Sequence, residues 1–366
     1  MYHVARELSV EFEVALVGPR GAADHMAGTV YSCPPAPLTR FLPCCVRKTW
    51  IARRSLHPDL VFAGSGLTAL PAELAARGTP RIAYVHGLDL VAPDRLYQRL
   101  FIPALRRCQT VIANSTHTRR LAQDHGVPEA RIALLHPGVS LPKAGSPETR
   151  RHARLALGIS ETTPVLLSVG RLTRRKGVLE FIERVLPSVI ARFPETLCLI
   201  IGGDPEGAVR GHAMGESIGA AVDRMGLADR VRLLGTVDED RLETAYRAAD
   251  LHVFPCQERR EDVEGFGMVA VEAAAYGLPT LAFAVGGVAD AVAHETSGWL
   301  VASGDYSGFT GVLLDYLSGG RTIDAVRCAA FAREFSWLSF GVRLRGICSD
   351  TIERARSASS SRSASL

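Results

Sequence analysis

Short apolar runs that end in turn residues, each separated from the next by a stretch of helical pattern, constrain this chain most. In the first half, segments 12–18, 59–64, 81–87, 110–115 and 131–138 are rich in β-branched residues and close on Gly, Ser or Asn. Runs of this length and composition predict buried strands. Between them lie helical patterns, clearest at 116–126, where Ser115 can cap the start and Gly126 can close the end. The second half repeats the scheme. Strands are predicted at 164–170, 196–203, 230–236, 250–256 and 279–287, with helices at 178–193 and 241–249 among the connections. Strand and helix in regular alternation predict α/β architecture with a parallel, doubly wound sheet, here twice in tandem.

Length and composition agree. The chain has 366 residues, of which 47% are hydrophobic and 22% charged, a balance suited to a globular protein of two or three domains. No apolar run approaches the ~18 residues of a spanning helix. Residues 1–14 lack the basic-then-apolar order of a secretory signal, so a cytoplasmic location is expected. Eight cysteines without a C-x-x-C pair predict reduced, mostly buried thiols and no structural zinc. Residues 140–162 are polar and contain Pro and Gly, which predicts a domain junction with a short helix inside it. The predicted limits are 1–145 and 160–333 for the two α/β domains, a C-terminal helix over 334–353, and a structureless Ser/Arg-rich tail over 354–366.

Charge is unevenly spread. Residues 1–160 hold 20 Lys and Arg against 11 Asp and Glu, whereas residues 161–366 hold 22 against 27. A basic first half predicts an anionic partner. Nucleic acid is disfavoured, because neither an RNP-type aromatic pattern nor a helix-turn-helix is present. Residues 38–54 mix large apolar side chains with Arg40, Arg47, Lys48, Arg53 and Arg54. Such a segment can lie on an anionic bilayer or pack on its own domain with a solvated basic face.

Common nucleotide fingerprints fail. There is no P-loop, and the nearest glycine cluster, Gly202 to Gly207, has the wrong spacing for a dinucleotide turn. Asp238-Glu239-Asp240 resembles a metal-binding pair of acids, but it directly precedes a helical pattern and is read as an N-cap with first-turn acids. The segment 261–280 is more informative. Glu264 falls in a loop with Gly265 and Gly267, a helix begins at Phe266–Met268, and Glu272 lies inside it. Free N–H groups at the helix start can receive phosphate. A carboxylate one turn in can hold a ribose diol, and the loop carboxylate can reach sugar hydroxyls. In 168–181 a predicted strand ends at Gly170, and Arg171 and Lys176 follow in the turn. There the two cations can neutralise a diphosphate leaving group, or form a basic surface loop. His86-Gly87 ends a strand at the corresponding edge of the first half, where a structural histidine is the alternative.

These residues resemble the GT-B glycosyltransferases, and within them the retaining family four. The likeness spans residue 2 to about 350. It rests on 85–87 (VHG), 113–127, 136–139 (HPGV), 168–177 (SVGRLTRRKG), 235–237 (GTV) and above all 264–279 (EGFGMVAVEAAAYGLP). The resemblance implies two Rossmann-like domains facing across a cleft. It implies transfer of a hexose from a UDP- or GDP-sugar to a glycan or lipid-linked acceptor, in cell-surface polysaccharide or glycolipid synthesis. No cofactor is expected, and no metal, because Arg171 and Lys176 can do the work of a cation. Glu264 would contact donor-sugar hydroxyls and Glu272 the ribose. Arg171 and Lys176 would hold the diphosphate, with Gly265, Phe266, Gly267 and Met268 assisting through the backbone. Gly170 and Val237 would line the donor site, and His86 would lie beside the transferred sugar. Family members open with an apolar strand and a Gly-rich turn, but Met1 leads directly into the helix that follows them. The first strand of the first domain is therefore expected to be missing from the centre of its sheet. An inactive protein of the same fold and a nucleotide-sugar epimerase are the rival readings.

Overall fold

A computed structural model describes residues 1–21, 28–205 and 213–363, except for the side chains of Ser359 and residues 361–363. Glu206 and Gly207 of the glycine cluster, and the tail residues 364–366, lie outside the described residues. The chain forms two compact units, Met1–Gly138 with Trp337–Leu366, and Val139–Ser336.

The first unit runs α1 (Tyr2–Leu8), β1 (Leu16–Pro19), β2 (Val30–Cys33), α2 (Leu38–Leu56), β3 (Val61–Ala63), α3 (Gly66–Ala75), β4 (Arg81–Val85), α4 (Leu88–Val91), α5 (Arg95–Arg106), β5 (Thr110–Ala113), α6 (Thr116–Asp124) and β6 (Ile132–Leu134). Its strands form two parallel sheets, β1-β2 and β3-β4-β5-β6, and no ladder joins them among the described residues. Strand alternation sends Ala83, Val85 and Val111 to one face of the larger sheet, against α3, α5 and α6. Ile82, Tyr84 and Ile112 go to the other, against Val4 and Leu8 of α1.

The second unit runs α7 (Pro147–Ala156), β7 (Val165–Val169), α8 (Val178–Arg184), α9 (Leu186–Arg192), β8 (Leu197–Ile201), α10 (Met214–Arg224), β9 (Val231–Gly235), α11 (Glu239–Ala248), β10 (Leu251–Phe254), α12 (Met268–Ala275), β11 (Thr280–Phe283), α13 (Val288–Ala291), β12 (Gly298–Val301), α14 (Tyr306–Leu317) and α15 (Ala325–Arg333). The last helix, α16 (Trp337–Ser363), belongs to the first unit. The six strands of the second unit stand in the order β12-β11-β10-β7-β8-β9 and each pair is parallel. Counted from β7, this is the 3-2-1-4-5-6 order of a doubly wound dinucleotide-type sheet, whose strand order reverses between β7 and β10. All residues of β7, β8 and β10 are buried, as expected for strands covered on both faces.

Three local expectations change. The pattern 178–193 is two helices, because Pro187 has no N–H to continue the first one, and the chain breaks at Val185. Strands β2 and β12 were not predicted. The tail expected to be structureless from 354 is helical to Ser363. Phe340, Leu344 and Cys348 seat α16 on the β4–β5 face. Arg354 then donates to the Thr110 hydroxyl at 3.1 Å and Arg356 pairs with Asp59 at 2.7 Å, so the polar end is held to the same unit.

The predicted junction 140–162 falls in the second unit, and its helix α7 is stapled there. Ser146 and Thr149 form a capping box with Pro147 at the first turn. Arg154, 2% exposed, donates to the carbonyls of Ala248, Ser160, Glu161 and Thr163 and to Asp250 at 2.7 Å.

Candidate functional site

In an open parallel sheet ligands bind beyond the carboxyl ends of the strands, at the point where strand order reverses. In the second unit that point lies beyond β7 and β10. Both strands release their chains there into loops. After β7 come Gly170, Arg171 and a short 3₁₀ turn, Arg174–Lys176. After β10 comes the loop 255–267 that leads into α12.

The two loops are locked together through Gly177. Its φ of +67° is left-handed, and a Cβ placed there would stand 1.9 Å from the Pro255 carbonyl oxygen. Only glycine permits both the conformation and the approach. The Gln257 N–H donates to the Arg175 carbonyl at 2.7 Å beside it. Consecutive cations are thereby turned into the β10 loop. Lys176 Nζ lies 2.7 Å from Glu264 Oε2, and Arg175 pairs with the same oxygen and, at 2.8 Å, with Asp262. Lys176 also sits over the Phe254 ring, 4.6 Å from its centroid.

Burial favours the neutral form of Glu264, but Lys176 and Arg175 outweigh it and hold the carboxyl below the ordinary range. Arg175 shows the reciprocal balance. Its burial is overcome by Glu264 and Asp262, and its pKa rises. The site therefore holds a fixed anion between two cations. Lys176 has Glu264 as its one acidic partner, whereas Arg175 holds Asp262 as well.

Glu264 lies in the loop and α12 begins at Met268, with Gly267 as its left-handed N-cap. Among the described residues the N–H groups of Met268 and Val269 have no acceptor. Glu272 lies inside α12 and its Oε2 accepts from the Tyr246 hydroxyl at 3.2 Å. Burial raises the Glu272 carboxyl pKa, with the Tyr246 hydrogen bond and Lys176 opposing. Tyr246 stacks on Tyr276 at 5.0 Å. Lys176 thus acts electrostatically on both glutamates.

Arg171 behaves differently. It is exposed and forms no hydrogen bond or ion pair among the described residues. Gly170 continues the β7–β8 ladder by donating to Ile201, and Val237 is half-buried just before the Asp238 cap of α11. That cap accepts from the Arg241 N–H at 2.8 Å. No cluster of His, Cys, Asp and Glu suited to a metal occurs among the described residues. The structure adds Arg175, which sequence reading missed. Its available signal was the pair Asp262 and Glu264, two acids with one residue between them, facing two consecutive cations.

His86 stands on the first unit, just past β4. Its Nε2 lies 3.1 Å from the Gly64 carbonyl and its backbone N–H donates to Asp89. A carbonyl can only accept, so Nε2 is the donor in this contact. The cysteines are all free thiols, and all but Cys44 are buried.

Two family models match. Residues 149–335 match the "Glycosyl transferases group 1" family and residues 1–142 match "Glycosyltransferase Family 4". The chain is similar to D-inositol 3-phosphate glycosyltransferase 2 of Catenulispora acidiphila, 35% identical over 254 residues, which cover 67% of this chain and 57% of the relative. A D-inositol 3-phosphate glycosyltransferase of Mycolicibacterium smegmatis is 32% identical over 62% of this chain and 49% of its own. The chain thus spans about half the length of the curated relatives it matches. Among solved structures it resembles Anabaena HepE in complex with UDP-glucose, with a TM-score of 0.71, 21% identity and coverage of 88% of this chain and 86% of that one. It also resembles sucrose-phosphate synthase of Thermosynechococcus elongatus, with a TM-score of 0.75, 22% identity and coverage of 96% and 92%. These likenesses show the GT-B fold.

Proposed function

The chain belongs to the group 1 glycosyl transferases, and on that premise we propose that it transfers a hexose from a UDP- or GDP-sugar to a glycan or lipid-linked acceptor, with retention of configuration. The observation that carries this reading is the Glu264–Lys176–Arg175 cluster at the strand-order reversal, with Glu272 close by on α12. In this reading Glu272 takes the ribose diol and Glu264 the hydroxyls of the donor sugar. Lys176 and Arg171 neutralise the diphosphate as it leaves, in place of a metal ion, with the backbone of Gly265, Phe266, Gly267 and Met268 assisting. Gly170 and Val237 border the donor, and His86 contacts the transferred sugar through Nδ1. Arg175 is a positioning residue, since it is nearly inaccessible and fixes the Glu264 carboxylate. The leaving phosphate accepts the proton of the attacking hydroxyl, so no carboxylate nucleophile is assigned.

The acceptor is taken by the basic first unit. The names of the curated relatives favour a second acceptor class, a phosphorylated cyclic polyol such as D-inositol 3-phosphate. No helix among the described residues is long and apolar enough to cross a membrane. We place the protein in the cytoplasm, peripherally on the inner face of the cell membrane through α2, in polysaccharide or glycolipid synthesis.

The test is nucleoside-diphosphate release by purified protein from a panel of UDP- and GDP-sugars, with and without EDTA, followed by addition of glycan, lipid-linked and inositol-phosphate acceptors. Release from one donor, stimulated by one acceptor, is expected. Interconversion of free nucleotide sugars would establish an epimerase instead, and folded protein with no turnover of any donor would overturn the reading.

A further inference from the structure

The first unit carries a cavity of about 520 Å³ lined by none of the residues assigned above. Its walls include Leu42, Val46 and Trp50 of α2, Leu70 and Leu74 of α3 and Phe101 of α5, and Arg47 is the single charged residue on its lining. The volume lies within the ~300–1,000 Å³ of small-ligand sites. Such sites normally carry a few polar groups that orient a polar ligand, and here only Arg47 can do so.

Helix α2 has two faces. Phe41, Cys45 and Ala52 are buried against the unit. Arg40, Pro43, Arg47, Trp50 and Arg54 follow one another at alternating steps of three and four residues, so they form a single stripe. All five are exposed. The Arg54 guanidinium lies 4.6 Å over the Trp50 ring. The helix contains no acid, and none of its five cations forms an ion pair among the described residues. Of the acids nearby, Glu73 on α3 is taken by Arg107 at 2.9 Å and Asp94 caps α5. At the mouth of the cavity Leu74 is 50% exposed and Trp50 45%. Cations on either side of an exposed Trp beside an apolar cavity match a surface where anionic headgroups meet hydrocarbon.

We propose that this cavity seats one acyl chain of an anionic phospholipid while the α2 stripe lies on the headgroups. The proposal deepens the peripheral-membrane part of the reading above and rests on it; the donor chemistry is independent of it. Trp50 supplies the probe. Phosphatidylcholine vesicles with and without phosphatidylglycerol, their chains brominated at mid-length, are mixed with the protein, and sedimentation and tryptophan emission are read together, with Trp50→Phe as the blank. Sedimentation on the anionic vesicles with quenching assigned to Trp50 is expected. Leu74→Glu, which sets a charge in the exposed cavity wall, should abolish that quenching, and Arg47→Glu should weaken sedimentation at least tenfold. Sedimentation without Trp50 quenching would overturn the acyl-chain site while leaving membrane association intact. Equal binding to neutral vesicles, or none to either, would overturn both. These adverse outcomes need only the wild-type protein and the Trp50→Phe blank, not the charge-altering variants. Release of nucleoside diphosphate by the same preparation reports separately on the donor site.

Discussion

Lys176 Nζ and Glu264 Oε2 lie 2.7 Å apart, joining the loop after β7 to the loop after β10 across the reversal of strand order. Both side chains are 13% exposed, so the pair is screened little by solvent. It fixes a cation beside an anion at the place where the proposed reading puts the donor diphosphate.

Removing the anion should cost stability. Glu264→Gln leaves Arg175, with 5% of its side chain exposed, short of one partner. Breaking a buried pair on one side costs about 3–5 kcal/mol. The pH dependence follows from the depressed pKa of Glu264. A carboxyl whose folded pKa is lowered contributes its full stability above the ordinary carboxylate range and loses it as pH falls through the folded value. Melting temperatures measured from neutral pH downward should show a large gap between wild type and variant that closes on acidification. A gap that stays constant would remove Glu264 from the ion cluster.

Glu272 should control donor affinity. Hydrogen bonds to a charged group contribute ~1.5–3 kcal/mol, so Glu272→Ala should weaken nucleotide binding roughly 10- to 100-fold. Burial raises the Glu272 pKa, and a ribose diol is held best by the carboxylate. Protonation of Glu272 then opposes binding, and affinity should fall with acidification from a pH above the ordinary carboxylate range. Titration calorimetry across pH should show that fall in wild type and its absence in Glu272→Gln. Identical pH profiles would assign the ribose elsewhere.

The two cations of the diphosphate should separate from the positioning residue by kinetics. Lys176→Ala and Arg171→Ala are expected to depress kcat more than they raise KM, by ~10²-fold for a donor that acts mainly on the transition state. Arg175→Lys should act through the loop, lowering the melting temperature and raising KM together. Activity should persist in EDTA. Loss on chelation with recovery on Mn²⁺ would count against cation clamping by the protein alone.

Arg154 offers a test of domain assignment. Its guanidinium serves four carbonyls and Asp250, so Arg154→Met leaves the buried Ala248 carbonyl without this donor and breaks the pair with Asp250. The buried acceptor alone costs ~1–3 kcal/mol, and urea should unfold the variant at a clearly lower midpoint. Because α7 belongs to the second unit, a fragment starting after residue 157 should be less stable than one starting at 139. Equal midpoints for the two would contradict the staple.

What the sequence determined by itself is everything set by neighbours along the chain. Ten strands could be read from β-branched runs and their closing residues, because period and punctuation are local. Ser115 and Asp238 were legible as caps, since a cap bonds an N–H only three residues on. So was the passage from the Glu264 loop to the α12 helix. The tertiary structure alone decided which charges are spent on each other. Arg171, Arg174, Arg175 and Lys176 look equivalent in sequence, yet the Gly177 turn against the Pro255 carbonyl buries Arg175, points Lys176 to an acid 88 residues away and leaves Arg171 in solvent. The end of α16 was decided in the same way. Its Ser/Arg composition predicts no structure, but Thr110 and Asp59 supply partners 244 and 297 residues distant. Contacts of such separation carry no local pattern, because the entropy of bringing their ends together is met only when the whole unit folds.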